Sequence, residues 1–263
     1  MTQSIRLATA TALLGLALSG SVQASLALPY AYAAAADVDD PNTLVEGMTF
    51  FGMGSALAQI DFSWARTEMG VHHAEARGDE STTRYGALSA WADGFTVTGG
   101  IGSGLANVSM TLDGAFGASS YAAAGYALIK AAYPVLPMDL ISYISGGSPL
   151  PADVEVVMWS LKDSIHNAGA INTVMTGSFN FDYDTPFYLT SVFGVMASGI
   201  GHADFSNTGT FGITLPGNLV SDSGTGYMAA AVPEAHEWAL MMAGLGLIGL
   251  RARRWKKTQR IVA

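Results

Sequence analysis

Several stretches in the middle of this chain alternate strictly between apolar and polar residues. In residues 178–183 Phe and Tyr occupy the odd positions, and Ser, Asn and Asp occupy the even ones. Residues 211–215 repeat the pattern, with Phe, Ile and Leu set against Gly and Thr. A period of two places all the apolar side chains on one face of a strand and the polar ones on the other. This pattern is typical of antiparallel sheets with one buried and one solvated face.

Six strand-like runs rich in β-branched and aromatic residues follow one another along the body of the chain. They are separated by Gly, Pro, Asp and Asn residues that favour turns. No amphipathic helix is evident between them, and no Pro/Ser linker divides the body. The sequence therefore predicts an all-β fold, a single-domain antiparallel β-sandwich that is jelly-roll-like or has a related Greek-key connectivity. The runs are 94–99, 105–112, 154–161, 174–183, 187–195 and 203–215.

The domain boundaries follow from the segments that flank these runs. We expect the body to extend over residues 45–228, preceded by a loose leader at 28–44 that is rich in alanine and ends in an acidic turn. One stretch inside the body, residues 119–132, is ambiguous, because its alanines favour a short helix by intrinsic propensity.

Charge and cysteine content exclude several classes of function. The chain of 263 residues has 12 basic and 21 acidic residues and no cysteine. One basic residue lies in the N-terminal segment, and six basic and two acidic residues follow Pro233, so the body keeps five basic and 19 acidic residues, a formal charge of −14. Such a body repels phosphate backbones, which excludes nucleic acid as a partner. Disulfides, thiol catalysis and cysteine-ligated metals are excluded as well.

The N-terminal residues 1–27 have the three parts of a secretory signal peptide. Arg6 supplies the positive charge, residues 7–18 form an apolar stretch, and small residues offer cleavage sites after Ala24 or Ala27. The alternative is an N-terminal anchor helix, but the apolar stretch is too short to span a bilayer comfortably. We therefore expect export across the inner membrane and removal of this segment.

The C-terminal residues 229–257 combine three unlike parts in a fixed order. A short motif, Val232-Pro233-Glu234, is followed by an apolar run at 238–250 and a basic cluster at 251–257. Proline prevents helix continuation and favours an extended chain before it, the conformation in which a protease binds its substrate. The apolar run of 13 residues would be about 20 Å long as a helix, short for a hydrocarbon core of about 30 Å.

Interfacial residues would extend the reach of this single membrane helix. Trp238 suits the outer interface, and the basic side chains can snorkel at the inner one. By the positive-inside rule the basic cluster stays cytoplasmic and the body lies outside. A terminal core helix is the alternative, but it would carry polar residues at helical spacing, and this run has none between 239 and 250. The predicted helix residues include Trp238, Leu240, Gly244, Leu245, Gly246 and Leu250, and the stop-transfer cluster is Arg251, Arg253, Arg254, Lys256 and Lys257.

The stretch 232–255 resembles the PEP-CTERM sorting signal of Gram-negative bacteria, also catalogued as the ice-binding protein C-terminal domain. That signal comprises a Val-Pro-Glu-Pro element, a Trp-Ala-Leu-rich apolar helix and an arginine-rich tail. This chain departs from it at Ala235, where the family usually has a second proline. The resemblance implies an exosortase-type membrane protease as a transient partner. It also implies a membrane anchor that is later removed, and a destination at the cell surface or in an exopolysaccharide or biofilm matrix.

The body shows no catalytic motif, and the sequence predicts no catalytic residue, metal ligand or cofactor. The adjacent residues His72 and His73 would point to opposite faces of a strand, which is poor geometry for chelation. The glycine-rich run 99–104 lacks the lysine and helix of a phosphate loop, so we interpret it as a hairpin turn. Ser103 inside that run does not have the spacing of a nucleophile elbow.

Acidic and aromatic residues offer weaker alternatives. Clustered acids could bind Ca²⁺, either Asp37, Asp39 and Asp40 in a loop or Asp182 and Asp184 at a strand end, but neither group matches a known calcium-binding pattern. Solvated charge is the simpler interpretation. Trp64, Trp91 and Trp159 lie in strand-like runs and are expected mostly in the core, although exposed aromatics on a β-sandwich can stack sugars.

Three functions remain open from the sequence. The leading hypothesis is an exported, non-enzymatic surface or extracellular-matrix protein associated with exopolysaccharide. The alternatives are a secreted glycan-binding module and, third, a secreted hydrolase whose site residues are scattered along the chain.

Overall fold

The computed structural model describes residues 29–50, 55–117, 121–133, 135, 151–167, 169–206 and 209–227. These residues belong to one compact unit. The predicted signal peptide at 1–27 and the predicted sorting signal at 229–257 lie outside the described residues, and both stay predictions. Within the described part of the chain, no helix is long and apolar enough to cross a membrane.

The described residues form fourteen strands and one short 3₁₀ turn at Pro41–Thr43. The strands are β1 Tyr30–Asp37, β2 Val45–Phe50, β3 Ala56–Ile60, β4 Ser63–Glu68, β5 Val71–Arg77, β6 Arg84–Thr98, β7 Ser103–Gly117, β8 Ala122–Ala131, β9 Val154–Asp163, β10 Gly169–Asp182, β11 Phe187–Ser198, β12 His202–Phe205, β13 Thr210–Thr214 and β14 Asn218–Ser221.

The strands make two antiparallel sheets of seven strands each. The first sheet has the order β2-β1-β6-β11-β8-β9, and β14 also pairs with β6. The second sheet has the order β10-β7-β12-β5-β4-β3, and β13 pairs with β5 and β7. The prediction of an all-β fold is confirmed, and two antiparallel sheets are consistent with a β-sandwich.

The larger apolar core contains side chains from both sheets. Phe193 of β11 in the first sheet contacts Phe205 of β12 in the second, with 5.4 Å between ring centroids. Phe205 in turn contacts Phe116 of β7 at 5.4 Å. Such tilted and edge-on ring pairs add to the stabilisation from burial alone. Alternation holds as predicted in β10, where Phe179 and Phe181 are buried in this core.

A polar network crosses the core and joins the two sheets. His72 of β5 is fully buried; its Nδ1 lies 2.7 Å from Ser89 Oγ of β6, and its Nε2 lies 2.6 Å from Ser191 Oγ of β11. Ser191 also donates to the hydroxyl of Tyr126 on β8, at 3.2 Å. Burial lowers the pKa of His72 from 6.5 to about 3, so the imidazole is neutral at physiological pH. A neutral ring with a partner on each nitrogen carries no penalty for buried charge or for an unsatisfied polar atom.

The end of the described chain is fastened to this core by Asp93 of β6. This buried carboxylate accepts hydrogen bonds from the backbone N–H of Ser223, at 3.1 Å, and from the hydroxyl of Tyr227, at 2.8 Å. The ring of Tyr227 packs against Trp91 at 5.6 Å and against Phe95 at 5.2 Å between centroids. Burial raises the pKa of Asp93, although these hydrogen bonds favour its ionised form. The fold therefore extends to residue 227.

Two segments differ from the sequence predictions. Residues 30–37, expected as part of a loose leader, form β1, which pairs with β2 and β6 and is buried along most of its length. Residues 122–131, which the sequence left ambiguous and for which propensity favoured a short helix, form β8, which pairs with β11 and β9. Alanine has a weak intrinsic preference for conformations other than strands. In both segments this preference is overridden, because each segment pairs with two neighbouring strands and is buried.

The glycine-rich run 99–104 also differs from the prediction. β6 and β7, which flank it, belong to different sheets, so the run connects the two sheets and is not a hairpin turn. Gly99 and Gly102 have φ values of 88° and 77°, a region that favours glycine. The run thus lets the chain leave one sheet and enter the other within four residues.

Candidate functional site

The outward face of the second sheet carries the candidate site, which is built on β3, β4, β5 and β12. Alternation along β5 buries His72 and Ala74 and turns His73, Glu75 and Arg77 to the other side. This confirms the prediction that His72 and His73 point to opposite faces. The strand register sets Trp64 of β4 and Asp204 of β12 on either side of Glu75. The outward residues of four strands are thereby brought side by side.

A depression of about 420 Å³ lies in this face. Leu57 and Trp64 give it apolar walls, while Arg66, His73 and two serines give it polar ones. Nδ1 of His73 lies 2.6 Å from the backbone carbonyl of Ser206, so this nitrogen carries the proton and donates. The lone pair of Nε2 then remains able to accept a hydrogen bond. An apolar ring surface beside polar groups matches the two-sided chemistry of a sugar ring. The lining residues are Ser55, Leu57, Trp64, Arg66, His73 and Ser206.

Glu75 fixes the orientation of the tryptophan. Trp64 Nε1 donates to Glu75 Oε2 at 2.8 Å, and the other carboxylate oxygen receives Arg77 Nε and lies 3.0 Å from His202 Nε2. Burial alone would raise the pKa of the Glu75 carboxyl, but the hydrogen bonds from Trp64, Arg77 and His202 outweigh it and hold the pKa below its usual value. Glu75 is therefore ionised at neutral pH and acts as the hub of this face.

Asp204 lies directly across from Glu75 in the register of β12 and β5. Burial would raise the pKa of Asp204 too, but hydrogen bonds from the backbone N–H and hydroxyl of Ser206 lower it, as do the nearby His202 and Arg77. Glu75, His202 and Asp204 each bring one donor atom within 4.8 Å of the others. Among the residues that the structure describes, this is the one group of three or more such side chains.

The remaining acidic candidates are occupied by structural contacts. Arg84 binds Asp39 and holds the pKa of that carboxyl below its usual value. Asp40 caps the 3₁₀ turn by accepting from the backbone N–H of Asn42 at 3.0 Å. Ser103 donates to Asp182 at 2.7 Å, and Asp184 is a turn residue with a φ of 59°. Asp39, Asp40 and Asp182 therefore have structural partners, which the interpretation as solvated charge did not foresee.

A second depression, of about 440 Å³, lies where β8 and β10 end and β9 begins. Its walls include Lys130 and the carboxylates of Asp153, Glu155 and Asp182. Lys130 lies 3.7 Å from Glu155 and also 5.6 Å from the ring centroid of Phe179. Asp182 has its own partner in Ser103. Two of the three carboxylates of this wall, Glu155 and Asp182, are thus engaged with neighbouring side chains.

The three tryptophans of the body have different environments. Trp91 is fully buried in the core, as expected. Trp64 is only partly buried and lines the first depression, and Trp159 on β9 is 46% exposed. The sequence could not separate them, because all three lie in strand-like runs. It also missed the group of Glu75, His202 and Asp204, whose members lie on strands 127 residues apart in the chain.

The predicted sorting residues, from Val232 to Lys257, lie outside the described residues. In comparisons with known proteins, no protein-family model matches the chain, and no curated protein matches it. The resemblance of residues 232–255 to the PEP-CTERM signal accordingly stays a prediction.

Proposed function

We propose that this protein is an exported, non-enzymatic surface or extracellular-matrix protein whose body binds glycan chains of an exopolysaccharide. The single observation that carries the binding proposal is the depression around Trp64 on the outward face of the second sheet. The scaffold is taken to be a β-sandwich, for which the two antiparallel sheets are the support. Delivery to the cell surface rests on the predicted signal peptide and the PEP-CTERM-like tail.

The residues of the depression suit a neutral sugar. The indole of Trp64 offers an apolar ring for stacking, and its hydrogen bond to Glu75 fixes the ring before a ligand arrives. Such preorganisation lowers the entropy cost of binding. Arg66, which pairs with Glu68, and His73 can hydrogen-bond sugar hydroxyls at the edge of the stacked ring. The strongly acidic body disfavours polyanions, which makes neutral glycans the better ligands.

A polysaccharide pull-down with the full-length chain in detergent tests the binding proposal. We expect the wild-type protein to be retained on exopolysaccharide and Trp64→Ala to bind at least about 30-fold more weakly, the loss typical of an aromatic anchor. Trp159→Ala is the matched control, because Trp159 is exposed but does not line this depression. Failure of the wild type to bind any polysaccharide, or equal losses in the two variants, would refute the proposal.

Binding rather than catalysis is proposed because the described residues that line the first depression include no carboxylate. In the second depression, Glu155 lies 3.7 Å from Lys130 and Asp182 accepts a hydrogen bond from Ser103. Hydrolysis of an exopolysaccharide during the pull-down would overturn this assignment. A Glu155→Gln, Asp182→Asn double variant that abolished such hydrolysis would then locate the reaction in the second depression.

The sorting proposal is tested separately by fractionating cells and mapping the mature C-terminus by mass spectrometry. We expect a mature protein that lacks residues 238–257 and is found outside the inner membrane. Pro233→Ala or Glu234→Ala should leave the uncut chain in the membrane. A soluble cytoplasmic protein that keeps residues 238–257, or normal release of both variants, would contradict the proposed role of the motif.

A further inference from the structure

We infer that Glu75, His202 and Asp204 form a binding site for a divalent transition-metal cation of the Zn²⁺ class. The three side chains come from two adjacent strands, β5 and β12, and each offers one ligand atom within 4.8 Å of the other two. One imidazole nitrogen with two carboxylate oxygens is a set that Zn²⁺ accepts, with water at the fourth tetrahedral position. Ca²⁺ and Mg²⁺ prefer oxygen ligands alone, so the histidine favours Zn²⁺ over both.

The placement of two carboxylates opposite each other supports this inference. Asp204 and Glu75 are cross-strand partners in the register of β12 and β5. Like charges directly opposite in a sheet destabilise it. Glu75 is 8% exposed, so water screens this repulsion poorly. Hydrogen bonds from Trp64, Arg77 and Ser206 offset this repulsion. A cation bound between the two carboxylates would offset it as well and would take both as ligands.

The outer contacts of the cluster hold each ligand in position. Trp64 Nε1 donates to Oε2 of Glu75, which leaves Oε1 on the side of His202. Ser206 donates through its backbone N–H and its hydroxyl to Oδ1 of Asp204, at 3.0 and 2.6 Å. Metal sites in proteins depend on such second contacts, which orient the ligands. Gly117 leaves space beside His202, since a Cβ at that position would lie 3.1 Å from the His202 Cβ.

Arg77 is the competitor for the same position. Its guanidinium binds Oε1 of Glu75, the oxygen that also faces His202. Its side chain is 60% exposed and can move into solvent when a cation binds. Arg77 would thus neutralise the cluster in the absence of metal, and removing it should strengthen metal binding. A purely structural cluster predicts no such gain.

Isothermal titration of the full-length chain with ZnCl₂, MgCl₂ and CaCl₂ separately tests the site. We expect one Zn²⁺ per chain, at least 100-fold weaker binding for His202→Ala and Asp204→Asn, and several-fold tighter binding for Arg77→Gln. The matched control is His166→Ala, because His166 pairs with Asp163 at 2.7 Å as an exposed histidine–carboxylate pair without a third ligand. This control should bind Zn²⁺ as the wild type does.

Thermal denaturation and tryptophan fluorescence test the site independently of the titration, in case a variant is destabilised. Zn²⁺ should raise the thermal midpoint of the wild type and leave that of Asp204→Asn unchanged. It should also change the fluorescence of the wild type but not of Trp64→Phe, since Trp64 contacts the ligand Glu75. The inference is overturned if His202→Ala and Asp204→Asn bind Zn²⁺ as tightly as the wild type, if Arg77→Gln binds more weakly, or if Ca²⁺ binds more tightly than Zn²⁺.

Discussion

The two sheets differ in how many of their faces are buried. The central strands β1, β6, β8 and β11 of the first sheet are buried on both sides. Tyr32, Ala34 and Leu88 on the outer face belong to a second apolar cluster besides the shared core. Val135 lies against that outer face and accepts hydrogen bonds from Tyr30, at 3.2 Å, and Thr190, at 3.0 Å. The second sheet is buried on one side, and its outer face carries the charged and aromatic residues of the candidate site. The first sheet therefore contributes apolar burial on two faces, and the second contributes it on one and leaves the other open to solvent.

The largest difference should appear when lysine is placed on the two outer faces. Ala34 on β1 is fully buried, so Ala34→Lys buries an unpaired ammonium and should destabilise the protein by more than about 4 kcal/mol or prevent folding. Thr176→Lys on β10, where the outer face is exposed, should change the free energy of unfolding by less than about 0.5 kcal/mol. Urea denaturation measures both. Equal stability of the two variants would show that the outer faces do not differ.

The next largest effect should come from the polar network that joins the sheets. His72→Ala removes one hydrogen-bond partner from each of the hydroxyls of Ser89 and Ser191 and opens a cavity in the core. We expect a loss of about 3–5 kcal/mol in the free energy of unfolding, measured by urea denaturation at pH 7. His73→Ala, one residue further along and on the outward face, is the matched control and should cost about 1 kcal/mol or less. A larger cost for His73→Ala would contradict the assignment of His72 as the core residue.

The same histidine should make stability depend on pH. Because burial lowers the pKa of His72 from 6.5 to about 3, the unfolded chain binds a proton between these values and the folded chain does not. Stability should therefore fall as the pH falls, by about 2 kcal/mol between pH 7 and pH 5. His72→Gln, which does not titrate, should show a smaller change over this interval, whereas the exposed-site variant His166→Ala should keep the wild-type slope. Equal slopes for wild type and His72→Gln would refute this attribution.

The smallest predicted effect concerns the end of the fold. Tyr227→Phe keeps the ring contacts with Trp91 and Phe95 but removes the hydroxyl that donates to Asp93. We expect a loss of about 1–2 kcal/mol by thermal denaturation, since a hydrogen bond to a buried charged group is removed. Tyr183→Phe, whose hydroxyl donates to Pro216 at an exposed position, should cost less than about 0.5 kcal/mol. If Tyr183→Phe lowered the stability as much as Tyr227→Phe does, the buried hydrogen bond to Asp93 would be no more important than an exposed one.

Sequence patterns predicted a strand with one wet face, such as β10, better than strands buried on both faces, such as β1 and β8. In β10 one face is wet, so phenylalanines alternate with polar residues and the period is visible. In β1 and β8 both faces are buried, and alanine fills them without alternation. An alanine run without alternation gives no sign of a strand, so intrinsic propensity alone led to the predictions of a loose leader at β1 and a possible helix at β8. Strand pairing between distant segments decides the outcome instead.

The candidate site was predictable only in part. The alternation of His73, Glu75 and Arg77 along β5 indicates a polar strand face. Nothing in the sequence indicates that β12 pairs with β5, and without that pairing Glu75 and His202 are unrelated residues. The environment of each tryptophan also depends on which strands surround it. A site assembled across strands thus becomes visible only when the sheet order is known.

The attachment of Tyr227 to the core also sets the length of the tether on which the body would be held. Eleven peptide units separate Tyr227 from Trp238, where the proposed membrane helix begins. Fully extended, they span at most about 40 Å, roughly the diameter of a folded domain of 200 residues. Until the tail is cut, the proposed glycan-binding face could reach no farther from the bilayer than the tether plus the body itself, about two domain diameters. Cleavage near residue 234 would remove that restriction and leave the contacts of Tyr227 with the core in place.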